Sequence, residues 1–167
     1  MIWDLVLCHG LLYSLFSTGI VVSIMRIDNR VFLPIAYLPE DLISAIPQQG
    51  EAEKRRAALL KLIWLSWAVG FPVFSTFHFK ALSGSLPGFL FLFLHAFLVF
   101  FSFWLVDLVF IDGIILCWVT PEWVVVPGTE GYAGYKDFGW HLRGHFGKGL
   151  LVITAAGLLA AVLVMVV

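Results

Sequence analysis

Charge is scarce in this sequence. Lys, Arg, Asp and Glu make up 13% of the 167 residues, whereas roughly a quarter is usual for a globular domain. Ten basic and eleven acidic side chains cannot cover the outside of a water-soluble domain of this length. A net charge of -1, with no Lys/Arg tract on a soluble module, excludes a basic nucleic-acid binder. Cysteine is almost absent as well: Cys8 and Cys117 are too few for a disulfide scaffold. They fall near opposite faces of the membrane, whereas a disulfide needs Cα atoms within about 7 Å, so both read as free thiols. Five histidines are too few for the multi-box iron chemistry of membrane desaturases and hydroxylases. What fills the chain is apolar: 61% hydrophobic residues and 15 glycines. The chain reads as one integral membrane domain spanning residues 1–167.

Four stretches have the roughly 20 apolar residues that a spanning helix needs. They cover about residues 2–25, 57–79, 88–119 and 149–167. The first lacks the basic start and small-residue cleavage site of a signal peptide, so it reads as a retained helix. Pro72 predicts a kink near Val69–Pro72 in the second. The expected fold is all-α: a four-helix transmembrane bundle with a short interfacial helix and a Gly-rich cytoplasmic cap. Nine of the ten Lys and Arg lie in or beside loops 26–56 and 120–148, and only Lys80 lies on the other side. By the positive-inside rule both large loops face the cytoplasm and both termini face out, which places the protein in the cell membrane.

The loops hold most of the polar residues. Pro39-Glu40-Asp41 suits a helix start, and Leu42, Ile43, Ala45 and Ile46 give that helix an apolar side before Pro47 stops it. Glu51 to Arg56 reads as a solvated first turn. In the second loop, β-branched Trp123–Val126 between two prolines suggests an extended run. Glycines at 128, 131, 134, 139, 144, 147 and 149 then interleave with Glu130, Tyr135, Lys136, Asp137, His141, Arg143, His145 and Lys148.

Three strings carry a resemblance: MRIDNRVFLPIAYLPEDLISAIP, FWLVDLVFIDGIILC followed by TPEWVVVPG, and PGTEGYAGYKDFGWHLRGH. Together, across residues 25–149, they resemble a family of small bacterial four-span integral membrane proteins with no settled activity. Asp107, Asp112 and the P-G-T-E-G element are its most specific parts. The resemblance implies the four-span architecture and contributes no substrate or catalytic residue.

Asp107 and Asp112 are the first candidates for chemistry, because ionisable groups on a spanning helix are costly and face an interior or water. At about 100° per residue, α-helical winding sets them about 140° apart, so they should not share a face. Pairing with Lys136, Arg143 or Lys148 is their expected structural use. His141 and His145 have the i,i+4 spacing of two metal ligands, and Glu130 or a helix-3 carboxylate could complete such a site. The glycines weaken the case for helix there. His9 and His95 lie at similar depth, where interhelical hydrogen bonding is the ordinary use and bis-histidine haem the rarer one. Ala156/Ala160 and Gly157/Ala161 are small-residue pairs that suit close helix packing.

Three function classes fit. The favoured one is a non-catalytic binding protein that holds an anionic amphiphile or lipid headgroup on the cap, with no cofactor and no metal. The binding candidates are Asp107, Asp112, Glu130, Tyr135, Lys136, Asp137, His141, Arg143, His145 and Lys148. A metal-dependent membrane enzyme built from His141, His145, Glu130, Asp107 and Asp112 is the alternative. The third is a structural subunit of a membrane complex, with a homo-oligomer or partner subunit in play. Charge counting favours an ion-free cap held by carboxylate–cation and carboxylate–histidine pairs, since three cap cations suffice for three acids. The orientation is testable with a single cysteine at Gly50 in a Cys8→Ser/Cys117→Ser background. An impermeant thiol reagent should label it only from the cytoplasmic side; labelling on intact cells reverses the topology.

Overall fold

The computed structural model describes residues 2–32, 40–84 and 87–167. Among the described residues it contains five longer helical elements, a single 3-10 turn at Ala133–Lys136, and no strand. Four are long and apolar enough to cross a membrane: α1 (Ile2–Ile27), α3 (Glu51–Leu82), α4 (Phe89–Val119) and α5 (Phe138–Val166). The short α2 (Glu40–Ala45) lies in the first large loop. Its expected proline start, Pro39, falls outside the described residues. The all-α four-helix reading holds.

Two helix limits differ from those expected. α3 starts at Glu51 rather than 57, because Glu53 reaches back to accept from the Gly50 backbone N–H at 2.9 Å and closes the first turn. α5 starts at Phe138 rather than 149, taking in residues assigned above to the cap. Asp137 begins it, its carboxylate accepting from the Trp140 N–H at 3.0 Å. Three glycines, at 139, 144 and 147, then lie inside the helix and a fourth, Gly149, at its π-to-α junction. Their intrinsic cost of about 1 kcal/mol each against Ala is a preference that packing overrides here.

α4 is the central helix, packing on α1, α3 and α5, while α3 also touches α1 and α5. The outward faces are leucine-rich, as a lipid-facing surface requires: Leu7, Leu11, Leu15, Leu59, Leu62, Leu151 and Leu159 are exposed. Inside, Tyr13 stacks on Phe71 and meets Phe100 and Phe103 edge-on.

In a hydrocarbon setting every polar group needs an internal partner, and the bundle supplies them in pairs. α3 continues through Pro72. A proline cannot donate to the carbonyl four residues back, which leaves the Ala68 oxygen without its helical partner. The Tyr13 hydroxyl donates to that oxygen at 2.8 Å. Further along, Ser75 Oγ stands 2.7 Å from His9 Nδ1 and 2.8 Å from His95 Nε2, tying α1, α3 and α4 together at one depth. The two imidazoles therefore have the interhelical role, with a serine hydroxyl between them. Ser102 on α4 donates to the Gly10 carbonyl of α1 at 3.0 Å.

The small-residue pairs on α5 behave as expected. Gly157 lies against the backbone of Phe97, where an added Cβ would meet the Phe97 N and Cα at 3.3 Å. Ala160 and Ala161 are buried beside it. Gly157→Leu should therefore destabilise the bundle by about 1–3 kcal/mol through overpacking. Gly147→Ala, which meets nothing within 4 Å, should be neutral or stabilising. Thermal melts in one detergent compare the two; equal melting temperatures would refute close packing at Gly157.

Candidate functional site: a buried histidine–carboxylate centre

The second half of α4 is wound as a π-helix from Asp107 to Val119. Such winding, with hydrogen bonds from i to i+5, takes in more residues per turn than an α-helix, so residues five apart stand nearer to one side. Asp107 and Asp112 are five apart, so they come to one side of α4. The expected 140° separation assumed α-helical winding and is corrected here. α5 contributes its own π turn at His145–Gly149, just after a regular α-helical turn that holds His141. The i,i+4 spacing does put both histidines on the face that meets α4.

The result is a compact centre. His145 Nε2 is 2.8 Å from Asp112 Oδ2 and 3.7 Å from Asp107 Oδ2. His141 Nδ1 approaches the same Asp112 oxygen at 3.2 Å. Asp112, His141 and His145 are buried, whereas the Asp107 side chain keeps 32% of its surface exposed and forms the open edge. Trp104 closes another side, edge-on to His145 at 5.5 Å and to Phe146 at 5.1 Å between ring centroids. Gly113 admits the Phe138 ring at 3.4 Å from where its Cβ would be, which lets the first turn of α5 lie on α4.

The expected ion pairs are not formed. Lys136, Arg143 and Lys148 are exposed. None lies within ion-pair distance of a carboxylate among the described residues. Arg143 instead lies over the Trp140 ring at 5.4 Å. The membrane carboxylates are met by imidazole, so the charge balance that favoured an ion-free cap does not operate.

Three other candidates have local structural roles. Glu130 does not reach the centre; both its oxygens accept from the Gly128 N–H at 3.0 Å. Hydrogen bonds from its own backbone N–H and then from that of Gly128 hold its carboxyl below the ordinary glutamate range. Gly128 and Gly131 take left-handed φ values of 89° and 79°, which a side chain would strain. Tyr135 is buried, its hydroxyl accepting from the Val126 N–H at 2.9 Å and pairing with Thr129 Oγ1 at 2.8 Å. Asp137 is the α5 cap already described. The P-G-T-E-G element is thus a folded turn locked by a tyrosine. Trp123–Val126 is turned rather than extended: the Val124 N–H donates to Pro121 O and the Val125 N–H to Glu122 O.

A set of loop residues escaped the sequence reading. The Asn29 amide donates to the Trp123 and Val125 carbonyls at 3.3 and 2.9 Å, joining the two large loops. Asp28 is buried and accepts from the Arg56 guanidinium at 3.0 Å, while Arg30 pairs with Glu53. That hydrogen bond to Glu53 is the main cause of the raised Arg30 pKa. The EAEKRR run is therefore solvated only in part: Lys54 pairs with Glu51 outside, while Glu53 and Arg56 hold the first loop. A cavity of about 530 Å³ lies here, lined by Arg26, Arg30, Arg56, Asp28 and Trp123 among others. The available signal was the D-N-R triplet directly after a spanning helix.

Comparison with protein-family models, curated proteins and solved structures gives no match.

Asp112 meets two imidazoles closely and Asp107 meets one at longer range. Asp112→Asn should lower stability by about 1–3 kcal/mol, the cost of losing a buried hydrogen bond with His145 and the close approach of His141 to a charged group, and Asp107→Asn by less. Chemical or thermal unfolding in detergent gives the order. A larger loss for Asp107→Asn would contradict the arrangement.

Proposed function

We propose that the chain is a membrane protein whose loop end binds an anionic amphiphile or lipid headgroup. The observation that supports this is the release of the cap cations: histidine meets the membrane carboxylates, so Lys136, Arg143 and Lys148 stay exposed. Arg143 and Lys148 sit on the first turns of α5 together with the exposed rings of Phe138, Trp140 and Phe146. Cations mixed with aromatic side chains at a helix end suit the boundary between headgroups and acyl chains. The first loop adds Arg26, which lies over Trp123 at 5.0 Å. The nine-to-one distribution of cations supports a cytoplasmic position for this face, where anionic lipid is concentrated.

Each surface cation near an anionic leaflet contributes about 1 kcal/mol, or roughly five-fold in affinity. Protein in nanodiscs that contain a minor fraction of phosphatidylglycerol in phosphatidylcholine should retain the anionic lipid when extracted for native mass spectrometry. Lys136→Gln/Arg143→Gln/Lys148→Gln should cut retention by about two orders of magnitude at low salt, and added salt should weaken the parent. Equal retention by parent and triple variant would remove the proposal.

A further inference from the structure

The histidine–carboxylate centre is not used by headgroup binding, and its composition calls for an explanation. Two carboxylates and two imidazoles are gathered inside an apolar bundle, with no Lys or Arg within ion-pair distance of either acid among the described residues. A solely structural link between helices needs no acidic group, as the His9–Ser75–His95 link shows elsewhere in the same bundle. Four converging groups, two of them acidic, exceed that need.

We propose that Asp107, Asp112, His141 and His145 form a binding site for one divalent cation of the first transition row, such as zinc, ferrous iron or manganese. Mixed imidazole and carboxylate donors are the set these ions take, and two histidines four apart on one helix are a recurrent way to supply half of it. With bonds of about 2.0–2.2 Å, neighbouring donors around an ion stand about 2.8–3.6 Å apart in octahedral to tetrahedral shells. Two of the donor separations here, 2.8 and 3.2 Å, fall in that range, and the third, 3.7 Å to Asp107, lies just beyond it. A divalent charge also balances two carboxylates that no cationic side chain meets.

As placed, the side chains are closed on each other, and no three of them present donors to a common ion-binding point. Asp112 Oδ2 occupies the middle, within reach of both rings. Loading therefore requires Asp112 to draw back and each facing nitrogen to offer a lone pair in place of a proton. For His141 neither ring nitrogen has a hydrogen-bond partner among the described residues, so Nε2 can carry the proton and leave Nδ1 to offer its lone pair. The ion arrives along the exposed edge at Asp107, and a coordination position toward that edge stays open to an outside ligand. Trp104, whose buried indole N–H has no partner, is the nearest unclaimed donor for an oxygen ligand there.

The proposal is independent of headgroup binding, because none of the four residues belongs to the exposed cation set; the two experiments fail separately. Full-length protein in detergent is stripped with chelator, dialysed, and titrated with Co²⁺ as a spectroscopic probe. Zn²⁺ retention is measured in parallel by elemental analysis. The expected result is one ion per chain, visible d–d absorption from bound Co²⁺, and weaker binding as pH falls because protons compete for the same atoms. His141→Gln and Asp112→Asn should each weaken binding at least ten-fold, the usual scale for losing a ligand or its support. His9→Gln/His95→Gln should leave it unchanged, and helical circular dichroism with a single gel-filtration peak confirms folding of each variant. Failure of folded parent protein to retain a stoichiometric ion overturns the site. So does equal binding by a folded His141→Gln/His145→Gln variant, or binding lost only with His9 and His95.

Discussion

A carboxylate inside an apolar helix bundle must be met from within the bundle, and here two imidazoles meet Asp112. That contact determines much of the rest. It requires α5 to begin well before its hydrophobic stretch, so that His141 and His145 face α4. It requires α4 to be wound so that both acids turn to the same neighbour. It leaves the basic residues of the loop end free to face outward. Removing a partner from such a contact leaves a buried charge without its compensation, which is costly in an apolar surrounding.

The same rule recurs at lower cost through neutral groups. The oxygen that Pro72 leaves behind is met by Tyr13, and Ser75 serves two histidines on two other helices. Ser102 of α4 adds a third link, accepting from Ser14 and donating to the Gly10 carbonyl of α1. Helix association in lipid draws little on the hydrophobic effect, so hydrogen bonds and close contacts such as Gly157 on Phe97 set which faces meet.

The four spans and their all-helical character were legible because about 20 apolar residues in a row have few other uses. The packing role of Gly157 and Ala161 was legible for a similar reason: small residues recurring at i,i+4 define a flat face. The centre was legible in part. All four of its residues stood out as costly or ligand-like, and carboxylate–histidine pairing was expected; what was missed is that Asp107 and Asp112 turn to the same neighbour, because α-helical geometry was assumed for them. Helix propensity also hid the start of α5, where one carboxylate cap and tertiary packing outweigh several glycines. The turn at Trp123–Val126 was out of reach of local reasoning, since Asn29 pins it from more than ninety residues away.

The winding of α4 also bears on how such sequences are compared. Residues five apart point well away from each other on an α-helix and come nearer to one side where the winding is wider, as Asp107 and Asp112 do in reaching His145. The interval Asp-x-x-x-x-Asp thus encodes proximity only together with the extra residue that each wide turn accommodates. A chain one residue shorter between the two acids, wound as an α-helix, would also set them on one side, because a four-residue spacing on an α-helix does so.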